Sequence, residues 1–174
     1  SEVTMWGTVW DMKNQIKYSI SNPNLYPNYA ILDYKLTESL PEDLSLITSM
    51  DALSHSLESI WNVNRNKKST EYAIEAITTI LSNVELLKQN LTDINVRNKL
   101  LEASTKAGLA FSNTKTAAAH SISYPLTIRF GIPHGVASSL SLIPLLKINS
   151  RYIKESLHKI CYDLDLTYEE LIEK

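Results

Sequence analysis

Two periods divide the chain. Between residues 3 and 20 apolar side chains tend to alternate, first Val3, Met5 and Val9, then Ile16, Tyr18 and Ile20, around the polar run Asp11-Met12-Lys13-Asn14. A period of two marks a strand, and turn-forming residues between two such runs predict a hairpin. Ser21 to Asn28 is rich in Asn, Pro and Ser and reads as a loop. Tyr29 to Leu32 is a short apolar run that predicts one buried strand. From Pro41 the period lengthens to that of a helix. Pro41-Glu42-Asp43 opens the first one, since proline and acids suit a first turn. Leu44, Ile47, Met50, Leu53 and Leu57 continue it.

The same reading predicts a second helix over Ser69–Lys88, with Ser69 and Thr70 as caps, and a third that Asp93 caps and that runs to Ala110. Further helices are predicted over Thr116–Ser123, over His134–Leu146 with Pro133 in the first turn, and over Ser150–Asp163. A short helical pattern follows, Tyr168–Lys174. The expected fold is mainly α, a helical domain with a small β-hairpin at its front.

Composition narrows the function. Hydrophobic residues make up 44% and charged residues 21% of the 174, and the net charge is −2. Those are the proportions of a soluble globular domain. Charge is mixed and no basic block stands out, so the sequence expects no nucleic-acid and no membrane partner. The single cysteine, Cys161, excludes an intramolecular disulfide, reads as a buried inert thiol and suits a reducing compartment, so a cytoplasmic protein is expected. The chain starts at Ser1 rather than Met and reads as a piece of a longer protein.

The chemistry lies in the histidines. Asp51 and His55 stand four apart on a predicted helix, which puts a carboxylate and an imidazole one turn apart on one face. That pair describes a metal-ligand arrangement and equally a helix ion pair. His120 sits among small residues, as a packed core histidine does. His134 falls between Pro133 and Gly135 at a helix start, where it is either a cap or a ligand. His158, beside Lys154, Glu155 and Lys159, reads as surface. One carboxylate and three imidazoles suit Fe(II) or Zn(II) without choosing between them. Glu58, one turn beyond His55, is a candidate to orient an imidazole. No phosphate loop, CxxC pair or nucleophile elbow is present.

Several segments together resemble the iron-containing (group III) alcohol dehydrogenases. They are Ser1-Glu2-Val3-Thr4; Ala30-Ile31-Leu32-Asp33 with Leu36-Thr37 and Leu40-Pro41; Met50-Asp51-Ala52-Leu53-Ser54-His55 with Glu58; Gly108 to Asn113 leading to His120; and Pro133-His134-Gly135. Tyr34 stands where that family usually has proline. Thr8 to Asp11, Lys17-Tyr18-Ser19, Glu58 to Asn62, Ser112 to Ala117 and His120 to Thr127 are similar to the phosphonoacetaldehyde reductase branch.

The resemblance implies the helical metal-binding domain of the dehydroquinate synthase-like fold. Residues 1–34 would be a remnant of a nucleotide-binding domain, and 35–174 a helical catalytic domain lacking some C-terminal helices. It implies Asp51, His55, His120 and His134 as ligands of Fe(II), alternatively Zn(II). It also implies NAD(P)H as cofactor, Leu44 beside the nicotinamide, and Tyr124 as proton donor where many members carry a second histidine. Lys115 and Arg129 would be partners for a phosphonate. The implied activity is an NAD(P)H-linked aldehyde reductase or alcohol dehydrogenase in a homodimer or larger homo-oligomer, inactive as the isolated piece. A zinc glycerol dehydrogenase or dehydroquinate synthase-like enzyme is the alternative. A helical interaction module with structural histidines is the non-catalytic one.

Overall fold

The computed structural model describes residues 2–174. It opens with an antiparallel hairpin, β1 (Trp6–Asp11) and β2 (Ile16–Ser21), in which Trp10 pairs with Lys17 and Thr8 with Ser19. Asp11 accepts from the Asn14 backbone N–H at 3.0 Å and Gln15 takes φ 54°, which closes the turn. The hairpin lies the opposite way from its apolar pattern. Val9, Ile16, Tyr18 and Ile20 form the exposed face, and Trp6, Thr8, Trp10, Lys17 and Ser19 line a cleft. The strand expected at Tyr29–Leu32 is absent. That segment pairs with nothing among the described residues, and Tyr29 and Ile31 are each 89% exposed. An apolar run makes a strand only beside another strand, and the sheet among the described residues holds β1 and β2 alone.

Helices follow: α1 (Glu42–Trp61), α2 (Lys67–Gln89), α3 (Ile94–Thr114), α4 (Ala118–Phe130), α5 (His134–Ser139), α6 (Leu142–Asn149), α7 (Lys154–Leu164) and α8 (Tyr168–Glu173). α1 is the central rod and touches α2, α3 and α5. Its second half, Ser56 to Trp61, is buried all round. A helix can be buried so only if its polar groups are satisfied, and Ser49, Ser54 and Ser56 return their hydroxyls to the carbonyl four residues back. Ala73, Ala76, Ala103, Ala107 and Ala110 let α2 and α3 approach closely around Ile60, Ile77, Ile80 and Ile160. Among the described residues no helix is long and apolar enough to cross a membrane.

Several helix ends differ from their expected places, each for a local reason. α2 starts at Lys67 because Asn66 is the cap. Its side chain accepts from the Ser69 N–H at 2.9 Å while Ser69 Oγ accepts from the Asn66 N–H at 3.0 Å. α4 runs on past Pro125 and ends at Gly131, whose φ of 68° and ψ of 15° close it. The helix expected over His134–Leu146 is two. The break at Leu140–Ser141 moves Pro144 from a helix interior, where it would remove a hydrogen bond, into the first turn of α6. Similarly, Ser150–Tyr152 is a 3-10 turn before α7. Asp93 caps α3 as expected, accepting from the N–H groups of Asn95 and Val96. Cys161 is half-buried rather than buried, and burial raises its thiol pKa.

Candidate metal centre

Three helices bring the histidines together. Asp51 and His55 face outward from the middle of α1, His120 lies in the first turn of α4, and His134 is the first residue of α5. Donor atoms of Asp51, His55 and His120 all lie within 4.8 Å of one another. Asp51 is the hub. Its Oδ1 is 3.5 Å from His120 Nε2 and 3.7 Å from His134 Nε2, and its Oδ2 is 3.9 Å from His55 Nδ1. The rings pack on each other, His55 on His120 with centroids 4.3 Å apart and His120 edge-on to His134 at 5.4 Å. Phe111 stacks on the other face of His55 at 4.1 Å.

Behind the donors stands a layer that fixes them. Glu58, two turns after Asp51, is fully buried. One of its oxygens accepts the Ala119 N–H at 2.6 Å, at the start of α4, where no side chain caps Ala117. The other is 2.6 Å from His120 Nδ1. With Nδ1 tied to a carboxylate, the free edge of the ring is Nε2, which points at Asp51 and His55 and is buried without a hydrogen-bond partner. Ser138, one turn after His134, donates to Asp51 Oδ1 at 3.2 Å. Gly135 lets α5 lie against α1, since a Cβ there would stand 2.0 Å from the Ile47 carbonyl oxygen.

Charge follows from this packing. Burial opposes ionisation of Asp51, but the close approach of His120 and the other nearby imidazoles outweighs it and holds the pKa at about 2. His55 is pushed down to about 4, by burial first and then by the neighbouring histidines against the pull of Asp51. Burial likewise lowers His134, opposed by Asp51 and aided by His120 and Lys17. Burial disfavours the charged form of His120, yet its contacts with Asp51 and Glu58 raise it to about 9. Glu58 is lowered because its bonds to His120 and to the α4 backbone outweigh burial. An ionised carboxylate and neutral imidazoles are the states a divalent cation binds. Positive charge at His120, from a proton or from an ion at Nε2, balances the two carboxylates that flank it. An orphaned imidazole nitrogen aimed into a set of oxygen and nitrogen donors fits a borderline divalent metal.

His55, His120 and His134 form one wall of a cleft of about 410 Å³, and the hairpin forms the opposite wall. Tyr124, one turn after His120, lies in the cleft with its ring parallel to His134. Trp10 packs edge-on to it at 6.0 Å, and Lys17 Nζ sits 3.4 Å from its ring centroid. Lys115 and Thr116 line the cleft as well. The structure does not bring Arg129 there, for it is exposed on the last turn of α4. Leu44 is 45% exposed, two turns before Asp51 on the same stripe of α1, and is not part of the cleft lining. His158 is exposed on α7. Residue-by-residue reading missed Trp10, Lys17 and Ser138. For the first two the available signal was the cross-strand pairing of Trp10 with Lys17, which puts both on one face once the hairpin is accepted.

The helical domain thus gathers a carboxylate and three imidazoles beside an open cleft, a donor set that could hold a metal ion. The profile of the Fe-containing alcohol dehydrogenase family, C-terminal, matches residues 45–173, and the chain belongs to that family. It is 34% identical to an NADPH-dependent butanol dehydrogenase of Clostridium saccharobutylicum over 176 residues, covering 99% of this chain and 45% of the relative. It is 30% identical to the phosphonoacetaldehyde reductase of Streptomyces viridochromogenes over 149 residues, covering 86% of this chain and 38% of the relative. The crystal structure of sulfoacetaldehyde reductase from Bifidobacterium kashiwanohense in complex with NAD+ superposes with a TM-score of 0.82 at 28% identity, covering 99% of this chain and 53% of that one. The chain thus spans less than half the length of the two curated relatives.

Proposed function

We propose that this chain is the metal-holding part of an NAD(P)H-linked aldehyde reductase, in which Asp51, His55, His120 and His134 hold a divalent metal, iron by family. The observation that carries the reading is the orphaned Nε2 of His120, fixed by Glu58 and aimed at the Asp51–His55 pair. When bound there, the metal supplies Lewis-acid polarisation of a carbonyl oxygen, and a reduced nicotinamide held by a nucleotide-binding domain supplies the hydride.

The chain's own residues do the rest. Asp51 and the imidazoles fix the position of the carbonyl end. Phe111, Trp10 and the ring of Tyr124 wall the cleft and limit water around it. The Tyr124 hydroxyl, on the α4 turn after His120, is the group we assign to deliver a proton to the product oxygen. Lys17 over its ring places positive charge beside that proton path.

For the substrate we propose a two-carbon aldehyde bearing a phosphonate, phosphonoacetaldehyde, on the strength of the 30% identity to a reductase of that name. The test is anaerobic loading of the full-length protein with Fe(II), followed by NADH and NADPH oxidation with phosphonoacetaldehyde and with butanal. Turnover that needs the metal and is lost in His120→Ala is the expected result. Metal binding without turnover of either aldehyde overturns the reading.

A further inference from the structure

We infer that Lys115 is the residue that selects an anionic group on the aldehyde, a phosphonate or sulfonate on the carbon next to the carbonyl. The inference rests on the reading of the cleft as an aldehyde site and adds the determinant of its substrate class. Its starting point is a backbone anomaly. Lys115 ends α3 at φ 68° and ψ 176°, a region that side chains with a Cβ avoid and glycine occupies freely. The other positive-φ residues among those described are easier to explain. Gln15 lies in the hairpin turn, and Asp165 closes α7 in the ordinary left-handed well.

The backbone of Lys115 is pinned from three sides. Its N–H donates to the Phe111 carbonyl at 2.7 Å, and its own carbonyl accepts from Thr114 Oγ1 at 3.0 Å and from Asn62 Nδ2 at 3.5 Å. Thr114 is itself fully buried and bonded to Ser59 Oγ at 3.2 Å. The bonds made by residue 115 itself all use its backbone atoms, so glycine would serve the turn at less cost. The lysine side chain, by contrast, makes no ion pair and no hydrogen bond among the described residues and lines the cleft. The strain at residue 115 therefore leaves the side chain free to act in the cleft that it lines.

The cleft around it is built for an anion. Its lining holds two lysines and no carboxylate, with the hydroxyls of Thr4, Thr8, Ser19 and Thr116. Of the two ammonium groups, Lys17 is engaged on the face of the Tyr124 ring, and Lys115 is the free one. A tetrahedral oxyanion takes a cation together with hydroxyl donors. Lys115 shares this cleft with His55, His120 and His134, so a short aldehyde with its carbonyl at the imidazoles would carry its anionic group toward Lys115. A neutral aldehyde has no use for that cation.

The experiment compares phosphonoacetaldehyde, sulfoacetaldehyde and butanal as substrates of the full-length, metal-loaded wild type and of Lys115→Gly, Lys115→Met and Lys115→Arg. KM for the preferred anionic aldehyde should rise on the order of tenfold to a hundredfold in the Gly and Met variants, at least ten times more than for butanal, and should largely recover in Arg. The preference between the two anionic aldehydes identifies the oxyanion. The melting temperature of Lys115→Gly should equal or exceed that of wild type, because the strain is relieved. Equal losses on anionic and neutral substrates, or an unchanged ratio in Lys115→Met, overturn the inference while butanal turnover leaves the reductase standing. Titration with ethylphosphonate, read by fluorescence of Trp6 and Trp10, separates the other case. Binding that Lys115→Gly abolishes, in a protein that reduces no aldehyde, keeps the anion site and removes the reductase.

Discussion

Glu58 shows how much one buried side chain can hold. It is fully buried on α1, yet it ties the α4 backbone at Ala119 and the ring of His120 at once. An unpaired buried carboxylate costs several kcal/mol, so its bonds on both sides are what make the position tolerable. The sequence placed Glu58 one turn from His55 but left open whether the acid faced inward. Helical periodicity gives the angle around α1, and only the arrival of α4 gives that angle a partner. In Glu58→Gln the shape and most of the hydrogen bonds persist, but the charge that keeps His120 oriented and basic is lost. Affinity for Fe(II) or Zn(II), measured by competition with a chelator, should fall about ten- to a hundredfold. In Glu58→Ala both partners are stranded, and denaturant unfolding should show a loss of about 3–5 kcal/mol. Unchanged affinity in Glu58→Gln would remove Glu58 from the site and leave it a helix-start anchor.

At the scale of elements, what was legible is what short-range physics decides. The 3.6-residue period and the Asp93 cap located α1, α2 and α3, and the Asp51–His55 spacing put two donors on one face before any tertiary contact was known. Where tertiary context decides, the pattern misled. The apolar stripe of the hairpin faces outward because the cleft wants the stripe with Trp10 and Lys17, and the Tyr29–Leu32 run has no strand to join. α4 continues through Pro125 and closes only at Gly131, whereas α5 and α6 are separate helices with Pro144 in the first turn of the second. Capping makes a quantitative claim: Asp93→Ala should cost about 1 kcal/mol in thermal or urea unfolding, with metal binding unaffected. Gly135 makes a sharper one. Its missing Cβ is the space through which α5 lies on the Ile47 carbonyl, so Gly135→Ala should push α5 away. The expected result is a loss of about 1–3 kcal/mol together with weakened metal binding, since His134 and Ser138 ride on the same helix. Destabilisation with metal affinity intact would show that α5 can shift without moving its donors.

The whole molecule is unevenly held. α1, α2 and α3 share an alanine-rich interface in which Ile60, Ile77 and Ile80 are buried, and local opening there exposes much apolar surface. α4 and α5 bury less, with Ala119, His120 and Ser123 inward on the first and Gly135, Ala137 and Ser138 on the second. What ties them to α1 is largely polar: Glu58 to His120, Ser138 to Asp51, and the close approach at Gly135. A metal shared by Asp51, His55, His120 and His134 would therefore join the loosely held pair of helices to the tightly held rod, and its binding energy should appear unevenly. At a hundredfold excess over Kd, an ion that binds only the folded state adds about 2.7 kcal/mol. For a chain of this size that corresponds to a rise in Tm of roughly 5–11 °C. Amide hydrogen exchange should slow mainly over residues 118–139 when Fe(II) or Zn(II) is added, and little over α2 and α3. Asp51→Asn should cancel both effects because it removes the hub charge. Uniform slowing across the helices would place the ion's contribution in global stability rather than at the α1–α4–α5 junction. No change in either measurement would remove the ion from this site.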